Sequence, residues 1–416
     1  MAFGDPIIRQ NAQSTNTMNV NTILNNTLSL ITLNMHKTRF QALSACVHSL
    51  LHGGAASVTG MGRGIDSKAY EKHNIKRADR LCSNPHLLIE SDYIYTAICC
   101  FFGRISSRPI ILVDWSDLDE HKGHFLLRAS LAFDGRSVTL YQEVHGLKTK
   151  EKPATHKAFL SILKTMMGKD VKPIVVSDAG FKTPWFREVL ALGWDFVRRT
   201  RKPNFYTRDK GETWHNITEL YAKATGTPKD FNGSINRTKP LECRLISYKQ
   251  KAKGRHNLNR VSQARQSKQS KSNAKGATDP WLLSTSLPKS RSLAKQVVNI
   301  YRTHMQIEEG FRDMKSRLYG LGFEQNKSTL KRRLTLLILI ATLASLVLML
   351  VGLTVKSANL HRRYQANSVE TRAILSFHFL GLRAFADKRL RFHKRHLGDA
   401  IALLKQGIQE ASAGVN

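Results

Sequence analysis

The spacing of apolar positions changes twice along this chain. From Thr38 to about Phe102 they recur at helical intervals, in "RFQALSACVHSLLHG", "DSKAYEKHNIKRADRLCSN" and "LIESDYIYTAICCFFG", which predicts a helical N-terminal region. At Arg108–Pro109 the period shortens. "PIILVDWSD" and "FLLRASLAF" are compact apolar runs and "RSVTLYQEV" alternates, so three strands are expected, the last two joined by a "DGR" hairpin turn. "THKAFLSILKTMMG" then reads as a helix and "KPIVVSDAGF" as a buried strand. "TPWFREVLALG" reads as a helix capped by Thr183 with Pro184 at its first position, and "WDFVRRTR" as a fifth strand. Antiparallel strands followed by helix–strand–helix–strand place the chain in the α/β class, with a mixed sheet.

Two stretches lack this regularity. Residues 1–33 are Asn/Thr-rich and expected to be frayed at the start. Between Lys202 and Pro288, "NFYTRDKGETWHNI" and "LECRLISYKQ" look like strands. They flank "QKAKGRHNLNRVSQARQSKQSKSNAKGATDP", a low-complexity basic tract with too little apolar surface to fold alone. "PWLLSTSLP" restores a strand, and "YRTHMQIEEGFRDMK", Tyr301 to Lys315, reads as one helix. Beyond it Leu334–Val355 runs 22 residues without a charge, long enough to cross a bilayer. Basic residues on both flanks (Lys331, Arg332, Arg333; Lys356, Arg362, Arg363) give no orientation signal, and a helix apolar all round also suits the core of a large domain.

Charge narrows the function classes. Against 31 Asp and Glu stand 65 Lys and Arg, a formal +34, and such an excess most often meets nucleic acid. Lys72, Lys76, Arg77 and Arg80 recur at near-helical spacing in the second helix and are candidates for contact with the DNA backbone. Cys46, Cys82, Cys99, Cys100 and Cys243 are scattered and odd in number, against a disulfide framework or zinc site and in keeping with a reducing cytoplasm. The N-terminus has no basic region leading into an apolar run, so no signal peptide is expected.

Candidate chemistry lies in three carboxylates. Asp114 ends the first predicted strand and Asp178 the fourth; a carboxylate leaving an apolar strand can simply begin a turn. A pair from neighbouring strands could instead hold Mg²⁺ through hard oxygen ligands. On a continuous helix at about 100° per residue, Tyr301, His304, Glu308, Arg312 and Lys315 fall within a stripe roughly 80° wide. Glu309 lies about 100° from Glu308, outside that stripe. Glu308 is therefore the third candidate, although i,i+4 pairing such as Glu308–Arg312 on an ordinary amphipathic helix would explain the charges as well.

At these residues a resemblance becomes specific. Tyr301, Glu308 and Lys315 resemble the YREK signature of the IS-four family of insertion-sequence transposases. "MQIEEGFRDMKSRLYGLG", "ILVDWSD", "LRASLAFDGRSVTLYQ", "PIVVSDAGF" and "KHNIKRADRL" are most similar to its Tn-ten/IS-ten branch, over nearly the whole chain from about Phe40. The resemblance implies a helical DNA-binding domain at 1–105 and an RNase H-like core split over 106–201 and 289–385. It also implies a β-rich, basic insertion at 202–288, with 386–416 as a helical tail. Leu334–Val355 then becomes a hydrophobic helix packed on the sheet.

The same resemblance implies DDE chemistry by Asp114, Asp178 and Glu308 with two Mg²⁺ ions, for which Mn²⁺ can substitute. The steps would be 3′-OH release, a DNA hairpin, its reopening, and joining to target DNA by a dimer that pairs the terminal inverted repeats. Tyr301 and Lys315 become phosphate or hairpin contacts and Trp281 a stacking surface for a flipped base, with Arg199 matching less specifically. His304 departs from the pattern, which has arginine there. Other readings stay open: a resolvase or other RNase H-like nuclease, a degenerate transposase that nicks without transposing, a non-enzymatic DNA-binding protein, and a membrane-anchored protein.

Overall fold

The computed structural model describes residues 17–121, 123–250, 263–264, 266–268, 270–271, 279–369 and 372–413. Most of the low-complexity basic tract and residues 1–16 of the expected frayed start lie outside these. The chain divides into two compact units, one made of residues up to Val171 and from Met305 onward, the other of Lys172 to His304.

The first unit begins with β1 (Thr17–Met18), followed by α1 (Val20–Ile31), α2 (Lys37–Leu51), α3 (Val58–Arg63), α4 (Glu71–Cys82) and α5 (Pro85–Ile98). Within the Asn/Thr-rich N-terminal stretch, residues 20–31 form α1. Asn19 caps it by accepting from the Thr22 amide at 2.9 Å, and Ile23, Leu24 and Leu28 bury one face. In α5 an Asn84 cap is followed by Pro85 in the first turn, the combination that starts a helix most readily. Strands β2 (Ile110–Asp117), β3 (His124–Ala132) and β4 (Ser137–Gly146) then form an antiparallel meander with β3 in the middle. Gly135, at φ +70, takes the left-handed position in the turn before β4. Helix α6 (Pro153–Met167) follows.

The second unit contains β5 (Ile174–Ser177), α7 (Thr183–Ala191), β6 (Asp195–Thr200), β7 (Phe205–Thr207), β8 (His215–Asn216), α8 (Thr218–Ala222), β9 (Lys229–Ile235), β10 (Leu241–Tyr248), β11 (Trp281–Thr285) and α9 (Leu293–Arg302). Its strands run in the order β5-β6-β11-β10-β9-β7-β8, with β5 and β6 parallel and the remaining pairs antiparallel. This large mixed sheet matches the expected α/β class. Thr183 does not cap α7: Lys182 holds the cap position, and the Thr183 hydroxyl accepts from the Asn236 side chain at 3.0 Å.

The chain returns to the first unit as α10 (Met305–Lys315), α11 (Lys331–Ser357), α12 (Phe377–Ala386), β12 (Phe392–His393), paired with β1, and α13 (Lys394–Ala413). Helix α11 is the apolar segment. From Leu334 to Val355 only Thr335 and Ser345 are not buried, because α1, α2, α4, α5, α12, α13 and β4 all pack against it. At roughly 1.5–3 kcal/mol for each large apolar side chain removed from water, this helix is the dominant core element of its unit. Gly352 and Gly381 let it approach α12 closely, since a Cβ at either position would collide with the carbonyl of Phe377 or Leu348.

Candidate active site

Strand β2 does not end at Asp114 as expected; it continues to Asp117, still paired with β3. What changes at Asp114 is burial. Ile110 to Val113 are buried and Asp114 to Asp117 only partly so, which puts the carboxylate where the strand emerges from the core. Asp114 Oδ1 accepts from the Trp115 amide at 2.8 Å. The Trp115 indole donates to His156 Nε2 at 3.2 Å and packs edge-on to His145. Burial, aided by His145, pushes the His156 pKa down to about 4, so that ring stays neutral and able to accept. His145 in turn contacts Glu143 at 2.8 Å, and Glu143 also accepts from the Tyr141 hydroxyl at 2.6 Å.

Glu308 is exposed on α10. Its neighbour Glu309 is half-buried and engaged by Arg312, three residues on, and by Arg136 at 3.6 Å; Arg136 also pairs with Asp313 at 2.8 Å. The ion pair of Arg312 is therefore with Glu309. Lys315 is mostly buried: its ammonium donates to Ser116 Oγ at 2.7 Å and to the Asp117 carbonyl, tying the end of α10 to the end of β2. Burial lowers its pKa, against the pull of Asp117 and with a smaller contribution from Arg128.

Tyr301 to Lys315 is not one helix. Helix α9 stops at Arg302 and α10 starts at Met305. At the break the amides of Thr303 and His304 bond three residues back, to the carbonyls of Ile300 and Tyr301, and the Thr303 hydroxyl takes the Ile300 carbonyl as well. Constant rotation per residue fails there, so only Glu308, Arg312 and Lys315 share a helix. Tyr301 and His304 belong to the second unit, both buried, their rings stacked 5.8 Å apart at 14°.

Asp178 follows β5 directly, as expected, and its Oδ1 accepts from the Gly180 amide at 2.8 Å. Arg198, opposite Ser177 on β6, is 4% exposed with its guanidinium 4.5 Å from the Phe186 ring centre. Burial pushes its pKa down to about 10, resisted by Cys243 and Asp178. Trp281 is half-buried at the start of β11, edge-on to Tyr301 at 5.1 Å and to Tyr248 at 6.0 Å, with the Arg199 guanidinium 6.0 Å away. Arg199 is buried and donates to the Asp279 carbonyl at 3.4 Å. On α4, Lys72, Lys76 and Arg80 are exposed; Arg77 is turned toward α2 and donates to the Gln41 carbonyl at 2.9 Å.

Asp114 and Glu308 thus belong to one unit and Asp178 to the other. Among the described residues no group of three or more His, Cys, Asp or Glu side chains could hold a metal ion. The donor chemistry of the three expected ligands, all carboxylates with solvent access, nonetheless suits a hard divalent cation. Arg128, buried in the middle of β3, is not among the residues expected at the site. Its signal was an arginine inside an otherwise apolar strand, "HFLLRASLA".

No curated protein matches the chain. A family model of the transposase DDE domain matches residues 105–347, a span that contains Asp114, Asp178 and Glu308. That span covers more than half of the 416 residues, and the chain belongs to the DDE-domain transposase family.

Proposed function

We propose that this transposase is a cut-and-paste enzyme of the IS-four family, Tn-ten/IS-ten branch, which binds the terminal inverted repeats of its element and moves them as a dimer. Asp114, Asp178 and Glu308 would hold two Mg²⁺ ions in an RNase H-like core, with a DNA-binding domain at 1–105. The family match, whose span includes all three carboxylates, supports the transposase reading, and the resemblance at Tyr301, Glu308 and Lys315 supports the branch. Ions held there would sharpen the attacking oxygen and stabilise the leaving one in an in-line displacement at phosphorus.

The chain's own groups do the rest. Asp114 and Asp178 keep partial solvent access at the ends of buried strand segments, and Glu308 projects from the exposed side of α10. Lys315 spends two of its three donors on Ser116 and Asp117, which leaves one for a DNA phosphate. Half-buried Trp281, edge-to-face with Tyr301 and with the Arg199 guanidinium over its ring, would stack a base; such stacking is worth on the order of 1–3 kcal/mol. The released 3′-OH would attack the opposite strand to close a hairpin, water would reopen it and regenerate the 3′-OH, and that 3′-OH would join target DNA. Reaction in the cytoplasm, on the nucleoid, follows from that substrate.

The test uses a labelled duplex carrying the inverted repeat that flanks the gene, with Mg²⁺ and a target plasmid. Cleavage and joining are expected, and D114N, D178N and E308Q should each abolish both. Unchanged cleavage in these variants overturns the site; cleavage without joining favours a resolvase-like nuclease.

A reading as a degenerate transposase rests on His304. Where the family pattern has a permanently charged arginine, this chain has a buried imidazole stacked on Tyr301. First-strand nicking should persist while hairpin formation or opening is weak, and His304→Arg should raise hairpin and excised products. Identical product profiles for the two proteins would exclude a role for His304.

A further inference from the structure

We propose that Arg128 is a positioning residue for the carboxylate site, setting the rotation of the helix that carries Glu308 against the strand that carries Asp114. The proposal rests on the reading of those two residues as metal-binding carboxylates.

Arg128 stands directly opposite Asp114 in the β2–β3 register, so the two side chains share a face of the sheet. It is 4% exposed, and among the described residues no carboxylate pairs with it. Its Nε donates to Gln142 Oε1 at 2.8 Å, its Nη2 points to Met314 Sδ at 3.1 Å, and its guanidinium lies 4.7 Å from the Phe311 ring centre. Gln142 is held in turn by the Tyr95 and Thr342 hydroxyls, at 3.0 and 2.5 Å. Burying a guanidinium against a thioether and a phenyl ring, both weak partners, costs several kcal/mol that a leucine would avoid. A purely structural account leaves that cost unexplained.

Geometry supplies the use. Phe311 and Met314 lie roughly 60° and 120° around α10 from Glu308, so the fork grips the helix on the flank next to the candidate carboxylate. On the opposite side Arg136 holds Glu309 and Asp313, and at the C-terminal end Lys315 fixes the helix along its axis. Rotation is what Arg128 controls. It matters here because two glutamates are adjacent: a turn of about 100° would exchange Glu308 for Glu309.

The experiment uses the full-length protein and the labelled repeat duplex, comparing Arg128→Lys, Arg128→Met and Glu308→Gln with the parent. Both Arg128 variants should bind the duplex with parental affinity yet cleave it about 100-fold more slowly in single turnover, the usual cost of a misplaced group. In metal-free protein, amide exchange across Met305–Lys315 should rise about tenfold while β2, β3 and β4 stay unchanged. Lysine should not rescue, because a compact ammonium cannot span Gln142, Met314 and Phe311. Parental single-turnover rates in R128K, or exchange that rises evenly over the unit, overturn the proposal. Should R128M fail to fold, R128K decides on both readouts. If Glu308→Gln cleaves like the parent, the carboxylate reading falls. If it is inactive while the Arg128 variants cleave normally, only the role of Arg128 falls.

Discussion

Two groups of cations look alike in the sequence and live in opposite surroundings. Lys72, Lys76 and Arg80 stand exposed at four-residue intervals on α4. Arg128, Arg198 and Arg199 lie inside strands, at 4%, 4% and 7% exposure. An exposed cation keeps its hydration and adds to the field that draws a polyanion, at almost no cost to folding. A buried guanidinium loses water and must be repaid locally. Arg128 has Gln142 and Phe311, Arg198 has the face of Phe186, and Arg199 has the Asp279 carbonyl beside Trp281. Charge on a helix face is thus a weak sign of a specific role, and charge inside a strand is a strong one.

The contrast can be broken by experiment. Arg198→Ala should cost the most, about 3 kcal/mol, through lost packing on Phe186 in a site that cannot refill. Urea denaturation measures it, and a loss under about 0.5 kcal/mol would place Arg198 with the surface cations. Replacing Lys72, Lys76 and Arg80 with glutamine should leave stability nearly unchanged. It should instead lower the dependence of log affinity on log salt by about one for each residue that meets a phosphate, equally on specific and unrelated DNA. Arg77→Gln is the internal control: with its guanidinium committed to Gln41, it should barely move that slope.

The smallest effect concerns Lys315, which is intermediate between the groups. Its folded pKa lies below the ordinary lysine value of 10.5, so the unfolded chain binds the proton more tightly. The resulting penalty is complete below the folded pKa and fades as pH rises toward 10.5, so this residue makes stability increase through that window. Lys315→Met should lack this increment. Denaturation at pH 8 and pH 10, compared between the two proteins, checks it; a parallel pH dependence would show that the ammonium is effectively solvated.

The order of elements from β2 to β6 was legible because apolar spacing switches cleanly between two periods there. Strand β9 was not, since "KDFNGSI" buries little more than Gly233 and Ile235 and carries no apolar pattern of its own. The α9–α10 break was equally hidden: a threonine hydroxyl turned onto a carbonyl one turn back leaves helix periodicity on both sides intact. Helical geometry still distinguished the two glutamates within α10, where Glu309 is bound by Arg136 and Arg312 and Glu308 is exposed. Lys315 shows the remaining gap. Its spacing from Glu308 was readable, but its attachment to Ser116 and Asp117, about 200 residues earlier in the chain, depends on tertiary folding.

Helix α11 also has a history during synthesis. The ribosome releases it after α1, α2, α4, α5 and β4 but before α12 and α13, so for some dozens of residues one side of a bilayer-length apolar helix has no protein cover. In that interval it offers membrane-targeting factors and chaperones the signal of a membrane segment, and arrival of the C-terminal helices removes it. A stop codon that deletes α12 and α13 would therefore leave more than a shortened transposase: it would leave part of a bilayer-length apolar helix without its protein cover.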